Sequence, residues 1–510
     1  MNFRTRPVVI AAVVLAVVAA AGVVGWRAID SQQWEAPRAT GEAVDVPLAR
    51  FYEQKVEWTD CGSAECARVT VPVDYTDPTG ETLTLAVKVH PAAGGNAKRS
   101  IFVNPGGPGG SALDYADSMV RQFGSSVTDM YDIVGVDPRG VGESTPLKCM
   151  SGSEFDAFTQ VDPSPDDETE VTALRQSLTD LGQACQDESG ALAAHVSTEE
   201  AARDMDVVRT LLGRTTFDWF GASYGTQLGA TYANLFPDRV GRMVLDGAVD
   251  PLEDSTAAAL GQTTGFQRAF DAYAADCIEQ GDCPLGGSVT EARDRASGLL
   301  DTLDTQPLPT RGDRVLTEGQ AFYGIALPLY SEQNWPVLTQ AFTQALKSGD
   351  GTTLLALSDA YFTRQADGTY ADNIGQVIYA VSCMDSSDSQ GVDAVRDVLP
   401  EFEKVSPVFG RALGWGALGC GDWPIKATTP QGPVTAEGAA PIVVIGTTRD
   451  PATPYESAVK LAEQLSSGVL LTREGDGHTA YNSGNQCITQ AVDTYLVEGT
   501  VPKDGTTCPE

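Results

Sequence analysis

Residues 217–236 read FDWFGASYGTQLGATYANLF, and the fold turns on this stretch. A short aromatic, strand-like run at 217–220 passes through Gly221-Ala222-Ser223-Tyr224-Gly225 into a helix-like run at 226–236. G-x-S-x-G between a strand and a helix sets a serine on a sharp, strained turn, and the flanking glycines let the two elements pass without a Cβ clash. The chain has 52 glycines in 510 residues, and at that frequency the bare pattern arises roughly 0.3 times by chance. The strand before it and the helix after it carry the assignment. Without them, Ser223 is an inert serine in a glycine-rich turn.

Working outward, apolar runs dense in Val, Ile, Leu and Phe recur at 100–104, 132–137, 217–221, 242–246, 441–447 and 468–472. Such runs suit parallel strands buried on both faces. Helical stretches lie between several of them, the clearest at 199–212, with Ser197 and Glu200 at capping-box spacing. Residues 67–73 and 83–90 flank the turn-rich 74–80, and apolar residues alternate at Leu85, Val87 and Val89, so an antiparallel hairpin is expected there. From 252 to 425 the strand signal gives way to helical stretches such as 256–277, 289–303 and 335–347. The predicted order is a leader at 1–26, a linker or wrapping arm at 27–60, the first part of an α/β core at 61–251, a mainly helical cap at 252–425, and the rest of the core at 426–510. The cap is expected over the C-terminal edge of the sheet, where ligands bind in open α/β folds.

A length of 510 residues accommodates two domains. The formal charge of -35, from 69 acidic against 34 basic residues, repels phosphate backbones and anionic lipid. Nucleic acid is thereby excluded as an expected partner. Arg4 and Arg6 precede an uncharged run at 8–25 that reads as an export signal. It is either cut near Ala19-x-Ala21 or retained as an anchor close to the roughly 20-residue spanning length. Ten cysteines, an even number, fit an oxidising compartment. They fall in near-neighbour couples: Cys61 with Cys66, Cys149 with Cys185, Cys277 with Cys283, Cys383 with Cys420, and Cys487 with Cys508. There is no C-x-x-C pair and there are only three histidines, so no catalytic metal is expected.

If Ser223 is a nucleophile it needs a base, and the choice is among His90, His195 and His478. His90 ends a strand run and His195 sits in an Ala-rich connector, whereas His478 follows the last strand run in Gly475-Asp476-Gly477-His478. That is the place and chain order a general base requires on this scaffold. Asp450, just after the 441–447 run, is the expected orienting acid, with Asp246 as its rival. The oxyanion hole needs backbone N–H groups: Tyr224 supplies one, and Gly107 in Asn104-Pro105-Gly106-Gly107-Pro108-Gly109-Gly110 the other. Asp137 and Arg139 read as a structural pair holding the loop after the 132–137 run.

Taken together, N-P-G-G-P-G-G, D-P-R-G-V-G-E-S, G-A-S-Y-G-T, T-R-D-P-A-T-P and G-D-G-H resemble the secreted bacterial tripeptidyl aminopeptidases, relatives of the proline iminopeptidases. Ser-Cys-Met-Asp at 382–385 and Cys-Gly-Asp-Trp-Pro at 420–424 add to the likeness, which runs from about residue 50 to the C-terminus. The resemblance implies an α/β-hydrolase fold, a mostly parallel sheet with helices on both faces and an inserted helical cap. It also implies release of short peptides, tripeptides foremost, from free N-termini without metal or cofactor. Pro105 stands where proline iminopeptidases carry His, which speaks against single-proline release. Reading a free N-terminus requires a carboxylate for the buried α-ammonium; Asp385 is the first candidate, with Glu332 and Asp422 as alternatives. A carboxylesterase or lipase shares the triad and remains the alternative, and a silent surface-binding protein is a third reading.

Overall fold

The computed structural model describes residues 34–93, 97, 99–386, 390–427 and 432–510. The expected leader at 1–26 lies outside them, as does the start of the expected arm. The strands are β1 (Trp58–Asp60), β2 (Glu65–Pro72), β3 (Thr82–His90), β4 (Arg99–Asn104), β5 (Tyr131–Val136), β6 (Phe217–Ala222), β7 (Val240–Asp246), β8 (Leu308–Pro309), β9 (Val315–Leu316), β10 (Ile442–Arg449), β11 (Gly468–Asp476) and β12 (Thr506–Cys508). Among the described residues one ten-stranded sheet runs in the order β1-β2-β3-β5-β4-β6-β7-β10-β11-β12. β1, β2, β3 and β5 pair antiparallel, and every ladder from β5 through β4 to β12 is parallel.

Side chains alternate across a strand, and here the alternation divides one apolar run between two cores. Phe102, Phe217, Trp219, Met243, Leu245, Ile442 and Val444 enter the core on one face. Ile101, Val103, Phe220, Val244, Val443 and Ile445 enter the other. The helices Thr198–Leu211 and Tyr224–Leu235 cover the first face, and Ala112–Gln122 and Gln486–Glu498 the second. This is the α/β-hydrolase fold, a mostly parallel sheet with helices on both faces.

Residues 34–60 wrap the core. Phe51 and Tyr52 are buried, Tyr52 donates to Asp206 at 3.0 Å, and Glu42 pairs with buried Arg209 at 2.8 Å. Between β7 and β10 lie the helices Ser255–Gln280, Val289–Thr305, Glu318–Ala326, Trp335–Thr343, Thr352–Tyr361, Ile374–Asp385, Val392–Val405 and Gly410–Gly416. The first several share a core of their own around Phe270, Leu300, Ile325 and Phe342. This stretch is not purely helical: β8 and β9 pair antiparallel within it. Helix Ile374–Asp385 leaves that core and packs Val377, Ala380 and Met384 against the sheet side instead.

The disulfides are Cys61–Cys66, Cys149–Cys185, Cys277–Cys283, Cys383–Cys420 and Cys487–Cys508, and no cysteine is free. Asp137 and Arg139 are structural but do not pair with each other, which corrects the expectation. Asp137 accepts from Ser111 Oγ and from the amides of Ala112, Leu113 and Glu143. Arg139 is fully buried against Asp204, with both contacts at 2.8 Å, and donates to the carbonyls of Pro72, Val73 and His195. Each ion is thus satisfied by its own set of partners, as a buried charge demands.

Candidate active site

The turn at Ser223 is built as the local sequence requires. Ser223 has φ 55° and ψ -127°, a left-handed backbone that a non-glycine residue adopts only where its surroundings hold it there. Its amide donates to Asp246 O at 2.9 Å, which fastens the turn to the end of β7. A Cβ at Gly221 would lie 2.2 Å from Gly225 O and 2.3 Å from Trp219 Nε1. Only glycine fits there, because strand and helix close on each other over the Trp219 indole, which donates to Gly225 O at 3.0 Å.

The loop after β4 lies directly against this turn. A Cβ at Gly106 would fall 2.8 Å from both Ser223 Cβ and Tyr224 N. The Gly106 amide is taken by Asn104 Oδ1 at 2.9 Å, and Gly107 carries the next amide along the loop. Tyr224 N opens the helix Tyr224–Leu235, where unpaired amides and the helix dipole favour negative charge. Beneath the turn, the Tyr224 hydroxyl bonds Thr198 Oγ1 at 2.6 Å, and burial pushes that phenol upward.

His478 sits between a sheet-borne carboxylate and the helical insertion. Its Nδ1 lies 2.9 Å from both Asp450 oxygens. Asp450 in turn accepts from the amides of Ala452, Thr453 and Thr479, so its orientation is fixed. The His478 amide donates to Tyr330 O at 2.9 Å, and the Tyr330 ring meets the imidazole edge-on at 5.3 Å between centroids. Burial pulls the imidazole pKa down, but the charge and hydrogen bond of Asp450, with the charge of Asp246, outweigh it and leave the pKa raised. Asp246 does not bond the imidazole. Its carboxylate accepts from Ala480 N at 2.8 Å and Tyr481 N at 2.9 Å, and burial raises its pKa to about 6. The residue that pins the Ser223 amide by its carbonyl therefore pins the loop after His478 by its side chain.

The three acids considered for a substrate amine lie in different places. Asp385 accepts from Thr198 N at 2.8 Å, Thr198 Oγ1 at 2.6 Å and Gln227 Nε2 at 3.2 Å, so it caps a helix beneath the Ser223 turn. Asp422 is half-exposed and paired with Arg175 at 2.7 Å. Glu332 is two residues beyond Tyr330 and beside Asp476, the residue two before His478; burial, then the charges of Asp476 and Glu510, raise its pKa. Of the other histidines, His90 bonds Asp117 at 2.6 Å and His195 bonds Glu200 at 2.7 Å. Tyr330 escaped the sequence reading, because a contact between residues 330 and 478 leaves no local periodicity to detect.

A family model described as TAP-like protein matches residues 406–508. The chain is 38% identical over 478 residues to the serine protease Hip1 of Mycobacterium tuberculosis, covering 89% of this chain and 91% of that protein. It is 40% identical over 483 residues to carboxylesterase B of Mycobacterium tuberculosis, covering 91% and 92%. Identity to the tripeptidyl aminopeptidase of Streptomyces lividans is 31% over 479 residues, covering 91% and 88%.

Proposed function

The chain belongs to the α/β-hydrolase family that includes serine protease Hip1 and the tripeptidyl aminopeptidases, and from that premise we propose that it is a serine aminopeptidase that removes short peptides, tripeptides foremost, from free N-termini. The His478–Asp450 pair at 2.9 Å and the strained Ser223 whose amide is tied to Asp246 support the serine-hydrolase part of the reading, and the identity to Hip1 and to the tripeptidyl aminopeptidase over about nine-tenths of the chain supports the peptidase part. Ser223 Oγ attacks the scissile carbonyl while His478 Nε2 accepts its proton. Asp450 holds the ring in the tautomer that carries hydrogen on Nδ1 and stabilises the imidazolium that forms. The amides of Gly107 and Tyr224 receive the oxyanion. Protonated His478 then gives its proton to the leaving amine, and water, activated by the same histidine, releases the acyl group from Ser223.

Glu332 is the acid we assign to the substrate's α-ammonium, because it stands at the seam between the insertion and the His478 loop. The shared identity with carboxylesterase B supports a second reading, ester hydrolysis by the same triad. Five disulfides without a free cysteine support an extracytoplasmic location, with the run at 8–25 as its export signal. Mass spectrometry of products from a mixed peptide library tests the function. Fragments of two or three residues cut from the N-terminus, absent with Ser223→Ala, are expected; internal cuts, or none while aryl esters turn over, would favour the alternative.

A further inference from the structure

Away from the triad, a group of carboxylates gathers where residues 162–170 meet the helical insertion. Carboxylate oxygens of Asp162, Glu170 and Asp304 lie within 4.8 Å of one another. Glu318, at the first turn of helix Glu318–Ala326, brings a fourth carboxylate within hydrogen-bonding reach of Asp162. Glu318 is only 7% exposed. Its Oε1 accepts from Ser164 Oγ at 2.6 Å, but its Oε2 and the facing Asp162 Oδ2 are buried with no donor. Arg411, the guanidinium whose charge reaches Asp304, donates to Pro165 O at 2.9 Å rather than to a carboxylate. Buried carboxylate oxygens without donors are costly, and the two here, Asp162 Oδ2 and Glu318 Oε2, stand beside the further carboxylates of Glu170, which accepts from the amides of Asp166 and Asp167, and of Asp304; a positive centre would satisfy them.

We propose that Asp162, Glu170, Asp304 and Glu318 form a calcium site that ties the 162–170 segment to the helical insertion. Calcium binds six to eight oxygens at about 2.4 Å, so its ligand oxygens lie no more than ~4.8 Å apart, a limit that oxygens of Asp162, Glu170 and Asp304 meet. The ligands come from four elements: the turn at 162 and the helices Glu168–Ser189, Val289–Thr305 and Glu318–Ala326. The turn is already shaped, since Ser164 N donates to Asp162 Oδ1 at 2.7 Å and leaves Oδ2 to face inward. Magnesium, which needs a tight octahedron and keeps its waters, suits such a spread carboxylate set less well.

The test is thermal unfolding and calorimetric titration of the full chain after dialysis against a chelator. Calcium chloride at millimolar concentration is expected to raise Tm by about 2 °C or more, with a smaller shift from magnesium chloride. Asp162→Asn and Asp304→Asn should each lose the calcium shift, whereas Glu57→Gln, which removes an equal charge from the exposed arm, should keep it. Glu318→Gln separates the site from a carboxyl pair that shares a proton. In a calcium site it weakens calcium binding; in a proton-sharing pair the glutamine amide serves Asp162 equally well and the wild type shows no calcium response. A wild-type Tm indifferent to calcium, or an equal shift in Asp162→Asn and Glu57→Gln, would overturn the proposal.

Discussion

Two buried carboxylates act on His478, and their partners separate their roles. Asp450 bonds Nδ1, whereas Asp246 holds the amides of residues 480 and 481 and touches the imidazole only through its charge. Asp450→Asn should therefore lower kcat by roughly 10³–10⁴-fold, since the histidine loses both tautomer and counter-charge. Asp246→Asn leaves one acceptor oxygen for two amides, a misfit of about 1–3 kcal/mol, and should lower kcat by roughly ten- to a hundredfold through displacement of the loop. Steady-state kinetics gives the ranking, and the reverse order would transfer the orienting role to Asp246. The pH profile adds a second readout. A general base works unprotonated, so kcat/KM should climb with pH through the raised imidazole pKa, above its ordinary value of about 6.5. In Asp450→Asn the attraction that raises it is gone and burial remains, so the limb should move to lower pH. A limb that stays in place would show that Asp450 does not face the imidazole.

At the scale of elements, the sheet was legible because β4, β5, β6, β7 and β10 are dense apolar runs largely buried on both faces, and β11 opens with a short apolar run of the same kind, partly buried. The edges were not. β1 and β12 are three-residue strands, mostly polar, whose pairing comes from their neighbours rather than from their own composition. The β8–β9 hairpin was hidden for the same reason, at two residues a side. The proposed triad positions are read from chain order and loop motifs, but the partners of Asp385 cannot be. Its bond to Thr198 joins residues 187 apart, and only the fold reveals that the carboxylate is already taken up. The same holds for Tyr330, through which the insertion touches the His478 loop. Tyr330→Phe keeps the ring and the carbonyl that binds the His478 amide, so kcat should be nearly unchanged. Tyr330→Ala removes the ring, worth about 0.5–1.5 kcal/mol, and should lower kcat roughly two- to tenfold. Equal loss in the two variants would mean that the phenol, not the ring against the imidazole, is what matters.

For the whole molecule, the insertion abuts the candidate site: Tyr330 meets His478, and a Cβ at Gly107 would fall 3.3 Å from Ile374 Cδ1. In the sequence this level is read from the loss of strand signal after 250 and its return at 441, and the way the insertion seats on the core leaves no such signal. On the proposed reading, a closed end above the triad would turn a general acyl-transfer site into one that counts residues from a free terminus, and a cation buried there would need an acid such as Glu332. The direct measurement is kcat/KM for one tripeptide-reporter substrate with a free and with an acetylated N-terminus, alongside a simple aryl ester. Acetylation removes the charge and adds bulk at the closed end, so cleavage of the peptide should fall at least ~100-fold while the ester is little affected. Equal turnover of the free and acetylated peptides would contradict the aminopeptidase assignment.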